Sequence, residues 1–154
     1  MDNIVIVSGG FDPCHSGHLQ LFEEAAKFGP LFVCLNSDDW LTRKKGKPFM
    51  NFEERKYLIS SLIWVNQVVA MDDSDDTACD GIIKVYNMFK KRRGFNMPKI
   101  RFANGGDRKS HNVPEVELCE KMNIDLLWNV GGAKANSSSD LLEEWVNFKT
   151  GLDK

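Results

Sequence analysis

Ile4-Val5-Ile6-Val7-Ser8-Gly9-Gly10-Phe11-Asp12-Pro13-Cys14-His15-Ser16-Gly17-His18 is the stretch whose reading decides the fold. Its first four residues are apolar and β-branched, which describes a buried strand. Two glycines, an acid and two histidines then sit where that strand hands over to a helix. Ser16 supplies an N-cap, and Leu19, Phe22, Ala25 and Ala26 share one face of the helix it opens. In α/β folds such a junction binds phosphate, because free helix N–H groups and the positive end of the helix dipole point there. The stretch lacks the Gly-Lys-Ser/Thr ending of a P-loop and the third glycine of a dinucleotide fingerprint.

Alternation of strands and helices continues outward from this junction. Gly29-Pro30 stops the first helix, and Leu31 to Leu35 form a short buried strand. Residues 36–47 read as a polar loop rich in Lys and Gly. Asn51 with Glu54 marks the next helix start, which Tyr57, Leu58, Leu62 and Ile63 continue. A third strand lies within residues 65–71, followed by a solvated acidic loop (Asp72, Asp73, Asp75, Asp76) and a helix over about residues 79–91. Residues 99–103 and 125–128 read as the last two strands, separated by the turn Asn104-Gly105-Gly106-Asp107 and a helix starting at Pro114-Glu115. Residues 137–148 form a closing helix. The pattern predicts an α/β chain: a Rossmann-like, doubly wound, parallel five-stranded sheet of order 3-2-1-4-5. Ligands of such sheets bind beyond the carboxyl ends of the strands. The loops over residues 9–18, 36–47, 104–110 and 131–139 therefore outline one site.

The 154 residues suit one domain spanning the chain, and 42% hydrophobic content supports one substantial core. Twenty basic against twenty-two acidic side chains leave a net charge of −2, which argues against a general nucleic-acid binder. Any phosphate affinity must then come from a local site. The cysteines (Cys14, Cys34, Cys79, Cys119) form no Cys-x-x-Cys pair and read as reduced and mostly buried. With no signal-like run and no apolar stretch near the roughly 20 residues that span a bilayer, the expectation is a cytoplasmic protein with no membrane partner.

His15 and His18 are three apart, so on a helical first turn they share a face. A metal reading needs a third ligand; only His111 or an acid is left, and no spacing matches. With Gly9, Gly10 and Asp12 beside them, phosphate binding is the favoured reading. The tryptophans (Trp40, Trp64, Trp128, Trp145) read as core or interface residues, and Lys90-Lys91-Arg92-Arg93 as a basic helix end complementing the dipole.

Residues 9–18 resemble the His-x-Gly-His signature of the cytidylyltransferase-like nucleotidyltransferases. Four further blocks match that family in order: Asn36-Ser37-Asp38, Phe52-Glu53-Glu54-Arg55, Gly105-Gly106-Asp107 and Ser137-Ser138-Ser139. The Asn-Ser-Asp and Gly-Gly-Asp blocks look closest to heptose-1-phosphate adenylyltransferases, with glycerol-3-phosphate and phosphoethanolamine cytidylyltransferases also similar. Asp12-Pro13 is similar to the nicotinate and pantetheine phosphate adenylyltransferases. Where cytidylyltransferases carry Arg-Thr-x-Gly, this chain has Gly131-Gly132-Ala133-Lys134-Ala135-Asn136, so the choice between ATP and CTP stays open. Residues 86–98 look like an extension over shorter relatives.

The resemblance implies transfer of a nucleoside monophosphate from ATP or CTP to the phosphate of a sugar, polyol or alcohol phosphate, with release of pyrophosphate. It assigns catalytic roles to His15, His18, a lysine of the 44–47 run (Lys44 or Lys47, as a mobile lid) and Arg55. It assigns nucleotide binding to Gly9, Gly10, Phe11, Asp12, Gly17, Gly105, Gly106, Asp107, Ser137, Ser138 and Ser139. Mg²⁺ is the implied cofactor, held through the phosphates without direct protein ligation; Asp12 either holds a Mg²⁺-bound water or caps the loop. Acceptor pockets of the family are built near the first helix and the 44–51 loop. A homodimer is a further implied partner state. The contrasting reading is a catalytically silent nucleotide-binding or regulatory domain of the same fold. A class I aminoacyl-tRNA synthetase fragment shares a similar signature, but this chain is short and has no Lys-Met-Ser-Lys-Ser-like loop.

Overall fold

The computed structural model describes residues 2–90, 96–105, 113–132 and 137–151. They form five strands, β1 (Asn3–Gly9), β2 (Leu31–Leu35), β3 (Val65–Ala70), β4 (Lys99–Gly105) and β5 (Asp125–Val130), in one parallel sheet of order β3-β2-β1-β4-β5. The helices are α1 (Ser16–Ala26), α2 (Asp38–Lys45), α3 (Phe52–Ser60), α4 (Cys79–Lys90), α5 (Val113–Met122) and α6 (Ser138–Thr150). The expected fold class and strand order are those observed.

β1 lies at the centre, and its side chains divide between two cores. Ile4 and Ile6 join Phe32, Cys34, Ile82, Val85, Ile100 and Phe102 beneath α4 and α5. Val5 and Val7 join Phe22, Ala25, Leu31, Val33 and Ile59 beneath α1 and α3. A strand buried on both faces explains why residues 4–7 are apolar without alternation. Parallel strands send every carboxyl end to one edge, so the strand ends at Gly9, Leu35, Ala70, Gly105 and Val130 gather there.

Three local expectations are corrected. The segment taken as a loop contains α2. Ser37 caps it, with Oγ accepting Trp40 N–H at 3.1 Å. Asp38 and Asp39 occupy its first turn and Arg43, Lys44 and Lys45 its last, matching the dipole at both ends, before Gly46 closes it at φ 90°. α3 stops at Ser60, so Leu62 and Ile63 lie beyond it; Ile63 is 90% exposed and supports no helix face. α1 is capped by His15, one residue before Ser16, through a ring nitrogen in place of a hydroxyl.

Of the tryptophans, Trp64 is partly buried against the α1 side of the core, whereas Trp128 and Trp145 are exposed. Residues 91–93 of the basic run lie outside the described residues. Among the described residues no helix is long and apolar enough to cross a membrane. All four cysteines are free. Burial pushes the thiols of Cys34 and Cys119 up to about 12 and that of Cys14 up to about 11. Because the thiolate is the reactive form, a thiol-modifying reagent at neutral pH should leave Cys34 and Cys119 unmodified until the chain is unfolded. Mass spectrometry of native and denatured samples checks this; rapid native labelling at either position would contradict it.

Candidate active site

The carboxyl edge of the sheet opens into a cavity of about 660 Å³, within the range of small-molecule sites. Strand ends form its floor, at Ser8, Gly9, Gly10, Asn36, Ala103, Asn104 and Gly105. One wall comes from the start of α1 (His15, Gly17, His18) and of α6 (Ser137, Ser138, Ser139), joined by Gly131 and Gly132. Trp40, Lys44 and Lys45 of α2 border it, and Asp76, Thr77, Ala78 and Glu115 line the side toward α4 and α5.

The two histidines hold each other through the backbone. His15 Nδ1 accepts the Gly17 N–H at 3.1 Å, and His18 Nδ1 accepts the His15 N–H at 3.2 Å. This reciprocal arrangement is a capping box built from imidazoles. The rings stack with centroids 3.8 Å apart, and His18 meets the edge of Phe11 at 4.9 Å. A nitrogen that accepts carries no proton, so each neutral ring bears its proton on Nε2 and is a hydrogen-bond donor there. Glycine at position 10 keeps the contact with α2 close: a Cβ there would lie 2.9 Å from Leu41 Cδ2 and would have to displace the end of that side chain. Ser138 Oγ donates to the Pro13 carbonyl at 2.7 Å, which draws the N-terminus of α6 to the loop before α1.

Asp12 is buried, and its oxygens are taken by the protein. Oδ2 accepts Phe49 N–H at 2.7 Å and pairs with Lys45 Nζ at 2.9 Å, while Oδ1 accepts Met50 N–H at 2.6 Å. An ammonium stands where a hydrated cation would be needed, so Asp12 does not fit a Mg²⁺-bound water. Of the two expectations, pinning the loop is the one its partners favour. Among the described residues no cluster of three His, Cys, Asp or Glu side chains could hold a metal ion.

Arg55 is 0% exposed and does not line the cavity. Nε donates to Met50 O at 2.9 Å, Nη1 to Gly10 O at 3.0 Å and Asn36 O at 2.8 Å, and Nη2 to Asp38 Oδ1 at 2.7 Å. The inward role holds, but its partners are strand-end carbonyls and α2, which makes it a positioning residue beneath the site. Of the lysines, Lys44 lines the cavity with its ammonium 5.1 Å from the Trp40 ring, whereas Lys47 is exposed and outside the lining. Lys45 takes the inner place the sequence reading missed, and only its pairing across to Asp12 distinguishes it. Gly106, Asp107, His111 and residues 133–136 lie outside the described residues.

The acidic loop is also corrected. Asp73 is buried and accepts from Asn36 Nδ2 at 2.9 Å, Ser37 N–H at 2.8 Å and Ser37 Oγ at 2.6 Å. Arg43 reaches back to Asp73 O at 2.7 Å and to Asp76 at 3.0 Å. Nothing near Asp73 in sequence distinguishes it from its solvated neighbours. Burial raises its pKa, but the bonds from the Ser37 hydroxyl, the Asn36 amide and the Ser37 N–H outweigh burial and hold the carboxyl below its ordinary value.

A cavity at the carboxyl edge of a parallel sheet, bordered by helix N-termini and two imidazoles, lies where α/β proteins of this architecture bind their ligands. A family model described as cytidylyltransferase-like matches residues 6–149, and the chain belongs to that family. The bifunctional protein HldE of Haemophilus influenzae (strain PittEE) is 33% identical over 119 residues, covering 72% of this chain and 25% of that protein. The chain thus spans about a quarter of the length of that curated relative. FAD synthase of Ferroglobus placidus is 32% identical over 71 residues, covering 46% of this chain and 47% of its own. Among solved structures, a lipopolysaccharide core biosynthesis protein from Thermoplasma volcanium GSS1 superposes with a TM-score of 0.60 at 23% identity, covering 82% of this chain and 93% of that one. A bifunctional NMN adenylyltransferase/ADP ribose pyrophosphatase from Francisella tularensis gives a TM-score of 0.65 at 16% identity over 96% of this chain and 43% of that one. At such identities these two structures show the fold alone.

Two predictions follow from the buried networks. Arg55→Lys retains the charge but cannot span four acceptors, so it should cost about 2–4 kcal/mol of stability, read as a lower urea midpoint; an unchanged midpoint would refute the network's role. Asp73 has a folded pKa below its unfolded value near 3.8, so its contribution is complete above that value and is lost as pH falls through the lower folded one. Asp73→Asn should therefore lower Tm at neutral pH and flatten the decline of Tm below about pH 4. Parallel wild-type and variant curves over that range would contradict the assignment.

Proposed function

We propose that this chain is a nucleotidyltransferase that moves AMP or CMP from the corresponding triphosphate to the phosphate of a sugar, polyol or alcohol phosphate. The observation that carries the reading is the imidazole capping box, which brings His15 and His18 to the wall of a cavity that the N-termini of α1 and α6 also line. Membership of the cytidylyltransferase-like family supports it.

In the proposed step an oxygen of the acceptor phosphate attacks the α-phosphorus of the nucleotide in line. The new O–P bond forms as the bond to the bridging α–β oxygen breaks, and pyrophosphate leaves with that electron pair. The nucleophile is already an anion at neutral pH, so the protein need not remove a proton. What remains is positioning and neutralisation of charge gathering on non-bridging and leaving oxygens. His15 and His18 would donate from Nε2 to those oxygens. The backbone at Gly9, Gly10 and Phe11, with Gly17, would let the α-phosphate approach closely. Ser137, Ser138 and Ser139 would receive the β- and γ-phosphates with hydroxyls and helix N–H groups. Lys44 would add a mobile charge, while Lys45 and Arg55 hold the loop and strand ends in place. Gly105, followed by Gly106 and Asp107, would face the ribose or base. Mg²⁺ enters as part of the substrate, bound to the triphosphate.

His15→Ala and His18→Ala should each lower kcat by about 100-fold or more, near 2.7 kcal/mol of transition-state stabilisation. The assay is pyrophosphate release with MgATP and with MgCTP across a panel of sugar, polyol and alcohol phosphates. Near-full activity in both variants would overturn the assigned roles. Nucleotide binding without turnover by the folded wild type on every acceptor would point to the silent binding domain instead.

A further inference from the structure

We infer that Arg43 is a positioning residue that ties nucleotide binding at α2 to the turn between β3 and α4, so that a bound nucleotide steadies the cavity wall toward α4 and α5 before the acceptor enters. The inference rests on the transfer reading above and adds a link between two sides of the site.

With Leu41 alone buried among its eight residues, α2 has little apolar anchorage, and a helix of that length is marginal by itself. Polar contacts place it. Arg55 holds Asp38 in the first turn, and Asp73 accepts from Ser37 N–H and Oγ at the cap. Arg43 anchors the other end. Its Nη2 donates to Asp73 O at 2.7 Å and to Asp76 Oδ1 at 3.0 Å, and its Nε to the same Asp76 oxygen at 3.2 Å. Lys44 and Lys45 share that last helical turn and line the cavity. The part of α2 that meets the triphosphate is therefore the part Arg43 anchors.

At its far end the tie grips a segment of the cavity wall, where Asp76, Thr77 and Ala78 stand. Asp76 takes left-handed backbone at φ 63°, a conformation that Asp and Asn tolerate better than most residues. Its N–H donates to Asp73 O at 2.9 Å, so the carbonyl that receives Arg43 also closes the turn. An exposed ion pair alone would contribute little. Here the shortest bond goes instead to the backbone of the buried Asp73. Thr77 N–H donates to Asp75 Oδ1 and Ala78 N–H to Glu115 Oε1, each at 2.9 Å. These amides exchange with solvent when the turn opens. The Asp73 carboxylate joins the turn to the cap of α2 and acts as a pivot, whereas Arg43 joins it to the end that carries the lysines. Phosphate drawn to Lys44 and Lys45 holds that end still. Arg43 then leaves Asp73 and Asp76 less often, and the wall opens less often with it.

Amide exchange, read residue by residue by NMR on the full chain, tests the tie. The ligands are the Mg²⁺ complexes of α,β-methylene ATP and CTP, which cannot be cleaved at the reacting bond. Saturating analogue should slow exchange at residues 14–18 by direct contact, and at Asp76, Thr77 and Ala78 by about fivefold or more. In Arg43→Ala, which removes a side chain 42% exposed, residues 14–18 should stay protected by nucleotide. Residues 76–78 should then exchange equally fast with and without it. A residue that merely supports the fold would speed exchange in both states and leave their ratio unchanged. Asp76→Asn keeps an acceptor oxygen and tolerates the same backbone, so it should keep the response. Wild-type protection at 14–18 with none at 76–78 overturns the tie and leaves the transfer reading standing. So does a response retained in Arg43→Ala or lost in Asp76→Asn. Nucleotide that protects neither segment of the wild type overturns the transfer reading, and this inference falls with it.

Discussion

The buried guanidinium of Arg55 is the constraint on which the rest of the edge depends. Carboxyl ends of parallel strands leave carbonyls pointing out of the sheet, and burying them without donors is costly. Arg55 answers two of these ends at once, Gly10 after β1 and Asn36 after β2, and reaches α2 through Asp38. Its Nε bond to Met50 O extends the network, since Met50 N–H donates to Asp12 and Asp12 pairs with Lys45. One planar fork thus sets the spacing of the first two strand ends and the seating of the helix that carries Trp40, Lys44 and Lys45. A lysine in its place would supply charge without the geometry.

A second network holds α2 from its other side. Asp73 binds Asn36 and Ser37 before the helix, and Arg43 returns from the helix to the Asp73 carbonyl and to Asp76. Between them, Arg55 and Asp73 fix a short helix whose own propensity would leave it marginal in isolation. The capping box does the same at α1, where hydrogen bonds that terminate a helix also decide which ring nitrogen carries the proton. In each case one set of contacts serves folding and also holds groups that line the cavity, so those groups would need little reorganisation to meet a ligand.

Much of this was legible one residue at a time. The β-branched run at 4–7, the glycine junction, the Asn51 cap and the serine-capped final helix each signal structure through neighbours a few positions away. The α2 helix was legible too, in Ser37, two acids and three bases correctly ordered; the lysine-glycine composition obscured it. Leu62 and Ile63 misled in the opposite sense, because a helical spacing of apolar residues does not by itself extend a helix: beyond α3, Leu62 packs partly against the core while Ile63 is exposed. The distinction between Lys45 and Lys47 had no local signal, since both are lysines in one basic run.

The sequence by itself determined the order of elements, the parallel sheet and the junction at which phosphate chemistry is to be sought, because periodicity, caps and turns act over a few residues. Only the tertiary structure decided which charged groups face the cavity and which are consumed beneath it. Asp12 and Lys45 neutralise each other across 33 residues, Asp73 lies 37 positions from the Asn36 amide it accepts from, and Glu115 stands 37 positions from the N–H it receives. Their roles depend on burial and on partners brought close by the fold. Desolvation and hydrogen-bond geometry are properties of three-dimensional proximity, which residue spacing along the chain does not encode.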